Sequence, residues 1–253
     1  MKTIALANQK GGVGKTTTTI NLGAYLANEG RRVLIVDIDP QGNAGSGLGI
    51  DITQQKSTIY QWLIDDSIAA PALKTQYKNL EIIPANIDLS GFEIDVRDNN
   101  NRDFVLKGRL DALRDQYDFV LIDCPPSLGI LTINALTAAN SVLIPLQCEY
   151  FALEGLTQLL RIINLVRTKL NPQLVIEGVL LTMFDARTKL ASQVVQDVRE
   201  HFRKQVYDVI IPRNVKLSEA PSFGQPISVY DPQSTGAIAY KTLAKDLLAR
   251  QGA

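Results

Sequence analysis

Nine consecutive residues, Gln9-Lys10-Gly11-Gly12-Val13-Gly14-Lys15-Thr16-Thr17, gather three glycines, two lysines and two threonines. Gly11, Gly12 and Gly14 let the backbone curl until successive N–H groups point at one anion. Lys15 can reach the β- and γ-phosphates of a bound triphosphate, and the Thr16 hydroxyl can take a position on Mg²⁺. The usual opening glycine of such a loop is missing, and a second lysine, Lys10, stands at that end instead. Three carboxylates accompany the loop. Asp123 closes the run Phe119-Val120-Leu121-Ile122-Asp123, from where it can hold Mg²⁺ through water, and Asp37 and Asp39 close Val33-Leu34-Ile35-Val36-Asp37-Ile38-Asp39. A lone strand-terminal aspartate is as readily a turn or cap residue. Three of them beside one phosphate loop fit a metal–phosphate site better.

The elements that must position these groups are legible as alternating patterns. Short β-branched runs at Thr3–Ala7, Arg32–Asp37, Leu80–Pro84, Asp118–Asp123, Ser141–Pro145, Leu174–Thr182 and Val206–Ile211 predict strands. Runs such as VLIVD and FVLID are apolar on both faces, as in a parallel sheet covered on both sides. Between Phe151 and Leu170 a helix is predicted, with Leu153, Leu156, Leu160, Ile163 and Val166 on one stripe. A last helix, about Thr235 to Arg250, offers Ile238, Leu243, Leu247 and Leu248 in the same way. The expected fold is α/β: a single doubly wound domain over residues 1–253, its mostly parallel sheet flanked by helices on both faces. Open sheets of this kind place their sites at the carboxyl ends of the strands, which brings the three aspartates to the loop.

With 253 residues the chain is long enough for a large core without staples. Lys+Arg and Asp+Glu are both 26, so coating nucleic acid by bulk charge is excluded. Two cysteines, Cys124 and Cys148, exclude a disulfide framework and point to a reducing, cytoplasmic compartment. The stretch between them carries no Asp, Glu, Lys or Arg, yet Pro125, Pro126, Asn134, Asn140 and Pro145 interrupt it, which fits a buried loop, helix and strand rather than a membrane span. His201 reads as a surface residue, and Tyr60 and Trp62 read as packing.

The blocks KGGVGKTT, VDIDPQGN, IDCPPSLG, QCEYFALEGL, LLTMFDART and IPRNVKLSEAPSFGQPI together resemble ParA/Soj-type partitioning ATPases, of the deviant Walker A group that also contains MinD-type and nitrogenase iron-protein-like members. The resemblance runs from Met1 to about Tyr240 and implies an ATP-operated switch that forms a sandwich homodimer on binding ATP. It implies that Lys10 crosses to the partner's nucleotide and that Gly11 lies against the partner. Gly12, Val13 and Gly14 cradle phosphate, Lys15 contacts the β- and γ-phosphates, Thr16 ligates Mg²⁺ and Thr17 contacts the α-phosphate. Asp39 positions the attacking water, Asp37 supports the Mg²⁺ shell, and Asp123 is the Walker B carboxylate. Met183 and Pro212 fall in the region that contacts the base. Hydrolysis is expected to stay slow until a ParB/Spo0J-type centromere-binding protein stimulates it.

Charge is segregated along the neutral chain. Residues 187–216 carry seven bases against three acids, and residues 81–118 nine acids against five bases. From charge alone the basic segment is a solvated mixed face. The resemblance implies instead nonspecific double-stranded DNA binding by the ATP dimer, with Arg187, Arg213 and Lys216 as candidates and a nucleoid-associated protein as the outcome. The chain starts directly at its first strand, so sequence-specific operator recognition by an N-terminal helix-turn-helix is not expected. Other readings are a MinD-like membrane-associated ATPase, a P-loop small-molecule kinase or synthetase, and a DNA-bound scaffold without turnover. The tail from Lys245 to Ala253 lacks aromatics and is expected to pack on the core rather than enter a membrane. An iron–sulfur role for Cys124 and Cys148 is weaker than burial as small apolar residues.

Overall fold

The structure, a computed structural model, describes residues 1–149 and 152–251. Tyr150, Phe151, Gly252 and Ala253 lie outside these residues, and so does the expected helix start at Phe151. The side chain of Leu153 likewise lies outside what is described.

Seven strands form one sheet: β1 (Lys2–Leu6), β2 (Val33–Asp37), β3 (Leu73–Lys74), β4 (Leu80–Ile83), β5 (Phe119–Asp123), β6 (Ser141–Gln147) and β7 (Val175–Thr182). Their spatial order is β3-β4-β2-β5-β1-β6-β7, and every pairing is parallel except β3 with β4. β1 lies between β5 and β6, so the chain fills one half of the sheet before it crosses to the other. The loop leaving β1 therefore opens at the switch point, where the flanking connections diverge and leave a crevice.

Burial explains why these runs are apolar throughout. Ala5, Leu34, Val36, Val120 and Ile122 join one core layer, while Ile4, Leu6, Val33, Ile35 and Leu121 join the other. The first layer is covered by the helices Ile59–Ile64, Val105–Asp111, Ile130–Ala138, Ala152–Lys169 and Lys189–Phe202, the second by Lys15–Asn28 and Thr235–Gln251. Within Ala152–Lys169 the buried stripe is Leu156, Leu159, Ile163 and Val166, with Leu160 at its edge. Trp62 is buried as expected, and Tyr60 is half-buried with its hydroxyl donating to Asp95. His201 is exposed.

Three details depart from the sequence reading. The expected strand Val206–Ile211 is not a strand. It is an irregular segment hydrogen-bonded to β7 only through Tyr207 N to Val179 O and Ile211 N to Leu181 O. It advances four residues while β7 advances two, so no ladder forms. Ile238 points to solvent at 57% exposure, and the last helix buries Ala237, Tyr240, Leu243, Ala244 and Leu247 instead. β3, two residues on the sheet's edge, was not foreseen.

Candidate active site

The loop from Lys10 to Gly14 leads into the Lys15–Asn28 helix through two residues in the left-handed region, Gly12 at φ +71° and Gly14 at φ +91°. Side chains resist that conformation, which is why glycine stands at both. The helix opens with no side-chain cap and no acidic residue in its first turn. Its first N–H groups are thus free for an anion, at the positive end of the helix dipole. Two side chains outside the glycines pin the loop. Asn8, which is buried, donates from Nδ2 to the carbonyl of Pro145 on β6 (2.7 Å) and accepts the N–H of Lys10 (3.0 Å). Thr182, the last residue of β7, donates to the carbonyl of Val13 (2.8 Å).

Lys15 is buried inside this ring, with Nζ 3.3 Å from the carbonyl of Lys10. Burial lowers its pKa, and the negative charges of Asp123 and Asp39 oppose the shift. A desolvated cation facing a cradle of N–H groups suits a polyphosphate, which could pair with it directly.

Asp123 and Asp37 sit side by side at the ends of paired strands β5 and β2. Both are fully buried. Burial raises the pKa of Asp123 to about 6, against the pull of hydroxyl hydrogen bonds from Thr16 (2.7 Å) and Thr19 (3.1 Å) and of the Lys15 charge. Asp37 is pushed well above the usual carboxylate range by burial and then by Asp123, while it accepts the backbone N–H groups of Asp39 and Ala44, each at 3.0 Å. Carboxylates crowded into a dry site without enough positive charge fit a divalent cation nearby. Thr16 and Asp123 are the residues that would hold Mg²⁺, with Asp37 behind them. Asp39 is 8% exposed at the mouth of β2 and accepts the N–H of Gln41 (3.0 Å), which fixes its carboxylate at the site's rim.

On the helix side of the loop lies a cleft of about 270 Å³, lined by Gly14, Thr17, Met183, Ile211, Pro212 and Leu217 among others. Met183 turns into it with φ +52°, an uncommon conformation for a side-chain-bearing residue. Such strain concentrates at sites. The cleft adjoins the phosphate loop through Gly14 and Thr17, so one ligand can span both.

Lys10, at the start of the loop, donates from Nζ to Glu149 Oε2 of the same chain at 3.0 Å. Gly11 is exposed, and a side-chain carbon there would meet only Pro126, at 3.9 Å. Asn8, Thr19, Glu149 and Thr182 were missed. Thr19 alone had a usable signal, since three residues after Thr16 it shares that helix face.

Of the DNA candidates, Arg213 lines the cleft, and Arg187 and Lys216 lie on the two segments that border it. Hydrogen bonds from Phe184 N to Ile211 O (3.1 Å) and Arg213 N to Phe184 O (2.9 Å) join the 183–188 loop to the 211–216 segment. All three cations face carboxylates: Arg187 with Asp185 (2.7 Å), Lys216 with Glu219 (2.9 Å), and Arg213 with Glu149 at a longer 3.8 Å. Arg187 pulls the Asp185 carboxyl below the usual range. Cys124 and Cys148 are buried and burial pushes both thiols up, so they pack as small apolar groups.

Comparison with known proteins agrees with this geometry. Residues 1–176 match a family described as an AAA domain. The chain is 57% identical over 249 residues to the sporulation initiation inhibitor protein Soj of Bacillus subtilis (strain 168), covering 98% of each. It is 54% identical over 254 residues to the chromosome partitioning protein ParA of Caulobacter vibrioides, covering 99% of this chain and 95% of that one. Among solved structures it resembles a cobyrinic acid a,c-diamide synthase from Mycobacterium smegmatis with bound ATP analog and magnesium, at 39% identity and TM-score 0.89, over 99% of this chain and 95% of the other. With more than half of its residues shared with Soj and ParA along nearly its whole length, the chain belongs to the ParA/Soj family of chromosome-partitioning ATPases.

Proposed function

We propose that the whole chain acts as one ATP-dependent dimerising switch that binds nonspecific double-stranded DNA as the ATP dimer. It hydrolyses ATP slowly until a ParB/Spo0J-type partner stimulates it, and so works on the nucleoid in the cytoplasm to segregate DNA. The observation that carries the reading is the buried Lys15 in an uncapped helix-terminal cradle, with Thr16 hydrogen-bonded to Asp123 across it.

In this reading Gly12, Val13 and Gly14 offer backbone N–H groups to the phosphates, Lys15 neutralises the β- and γ-oxygens, and Thr17 lies at the α-phosphate. Met183 and Pro212 flank the base. Bound Mg²⁺ would neutralise further phosphate charge and fix the triphosphate's geometry. Asp39, held at the rim by the N–H of Gln41, orients the water for in-line attack on the γ-phosphate. Lys10 and Gly11 lie on the outer side of the loop, where a second copy can face them, and Lys10 would stabilise charge on that copy's triphosphate. Two copies double the basic 187–216 segment presented to DNA, and avidity then couples ATP state to DNA retention.

Two other readings lose support. The Thr235–Gln251 helix fully buries Leu243 and Leu247, so it is a core element and not a detachable amphipathic one. No helix among the described residues is long and apolar enough to cross a membrane. A small-molecule synthetase is favoured by three solved structures of the Mycobacterium smegmatis synthase, but identity to the partitioning proteins is far higher. The proposal is tested by phosphate release and filter retention of random-sequence DNA in ATP and in ADP. Retention in ATP only, lost steeply with added salt, supports it. Equal retention in both nucleotides, or turnover that requires a small-molecule acceptor, overturns it.

A further inference from the structure

Glu149 lies two residues past the end of β6 and belongs to none of the roles assigned above. One carboxylate oxygen, Oε2, accepts the Lys10 ammonium at 3.0 Å. The other, Oε1, accepts the Gln147 side-chain amide and lies 3.8 Å from the Arg213 guanidinium. The carboxylate therefore stands between two cations from opposite parts of the chain: the loop lysine proposed to enter the partner's nucleotide, and an arginine proposed to meet DNA.

We propose that Glu149 is a positioning residue that parks Lys10 in the single chain and neutralises Arg213 at the same time, so that dimerisation transfers Lys10 from Glu149 to the partner's triphosphate. The inference rests on the dimer reading for its consequence, while the parked lysine is a property of the single chain. A triphosphate carries more negative charge than one carboxylate and outcompetes it for Lys10, whereas a diphosphate lacks the γ-phosphate that Lys10 is proposed to meet. The pair is weak enough to break. Its side chains are 36% and 45% exposed, so water screens it, and exchange need not be slow. Once Lys10 leaves, Glu149 keeps the Gln147 amide and the longer contact to Arg213. That arginine lies on the 211–216 segment that lines the cleft and holds the DNA candidates. The carboxylate thus acts as a threshold on premature pairing and as a brake on a DNA-facing cation, both set by one side chain.

The test is Glu149→Gln, which keeps the shape and one acceptor oxygen but removes the charge. First, the nucleotide-free monomer is reductively methylated with ¹³C-formaldehyde, and the Lys10 methyl resonance is identified by its absence in Lys10→Arg. It is expected to move to the position of a freely solvated lysine in Glu149→Gln. An unmoved resonance refutes the parked lysine, whatever the protein's function. Second, sedimentation velocity across a protein titration in a nonhydrolysable ATP analogue is expected to show dimer at roughly two- to fivefold lower concentration for Glu149→Gln, the range of a screened ion pair. DNA retention in the analogue is expected to resist correspondingly more salt. An unchanged or raised midpoint overturns the threshold. Should wild type form no dimer in the analogue, the dimer reading falls, and the threshold with it. A Lys10→Ala, Glu149→Gln double variant that still gains over Lys10→Ala alone in self-association assigns the effect elsewhere and refutes the transfer.

Discussion

Replacing Asp123 by Asn is expected to stabilise the nucleotide-free chain at neutral pH while it abolishes Mg²⁺-dependent activity. Asp123 has no exposed surface, and burial holds its pKa at about 6 against an ordinary 3.8. At about 1.4 kcal/mol per pH unit of displacement, keeping that carboxylate ionised costs the folded state about 3 kcal/mol. A raised acid contributes its stability fully below the unfolded value near 3.8 and loses it as pH rises to about 6. The wild-type chain therefore carries the whole penalty at pH 7. Asn has nearly the same shape, its carbonyl can still accept the Thr16 hydroxyl, and its amide can donate to Thr19. It also removes the charge that repels Asp37. Against this, Lys15 loses an attractive neighbour, so the net gain is expected at about 1–3 kcal/mol. Urea unfolding without nucleotide or metal, at pH 7 and pH 5, measures it. The variant should be the more stable at pH 7, with the advantage shrinking at pH 5. A variant destabilised at pH 7, or an advantage that does not change with pH, would refute the electrostatic reasoning.

The other substitutions separate the roles within the site. Lys15→Ala should abolish ATP binding by calorimetry with little change in fold, since it removes the one cation buried in the cradle; tight binding retained would remove Lys15 from that role. Gly11→Val should bind nucleotide normally, because the nearest atom to an added side-chain carbon is 3.9 Å away, yet fail to dimerise; an ATP-dependent dimer on a sizing column would count against the interface. Asp39→Ala should hold an ATP-bound dimer with phosphate release reduced by about 10²-fold or more, as expected when a water-positioning group is lost, and unchanged turnover would free Asp39 of the role.

The sheet was legible because its strands are buried on both faces: FVLID and VLIVD carry no solvent face that could confuse the pattern. The same property placed Asp37 and Asp123, since an aspartate ending such a run must lie at a strand's carboxyl end. Where the chain only skirts the sheet, the pattern misled. Val206–Ile211 is as apolar as a strand because Tyr207 and Ile211 are buried, but four residues there span two on β7. Ile238 fits the helical stripe by spacing and still faces water, because the small residues Ala237 and Ala244 let the helix pack closely on another face. At the site, the loop glycines and lysines declare themselves by type and spacing. The contacts that pin them do not. Asn8 to Pro145 and Lys10 to Glu149 join residues 137 and 139 positions apart, and only the fold brings them together.

The proposed switch depends on a triphosphate held by one cation from its own chain and one from a second copy. Sedimentation velocity of wild type and Lys10→Ala, each saturated with a nonhydrolysable ATP analogue and Mg²⁺, tests this most directly. Wild type should sediment as a dimer, and Lys10→Ala as a monomer that still binds the analogue. A Lys10→Ala dimer of wild-type strength would contradict it.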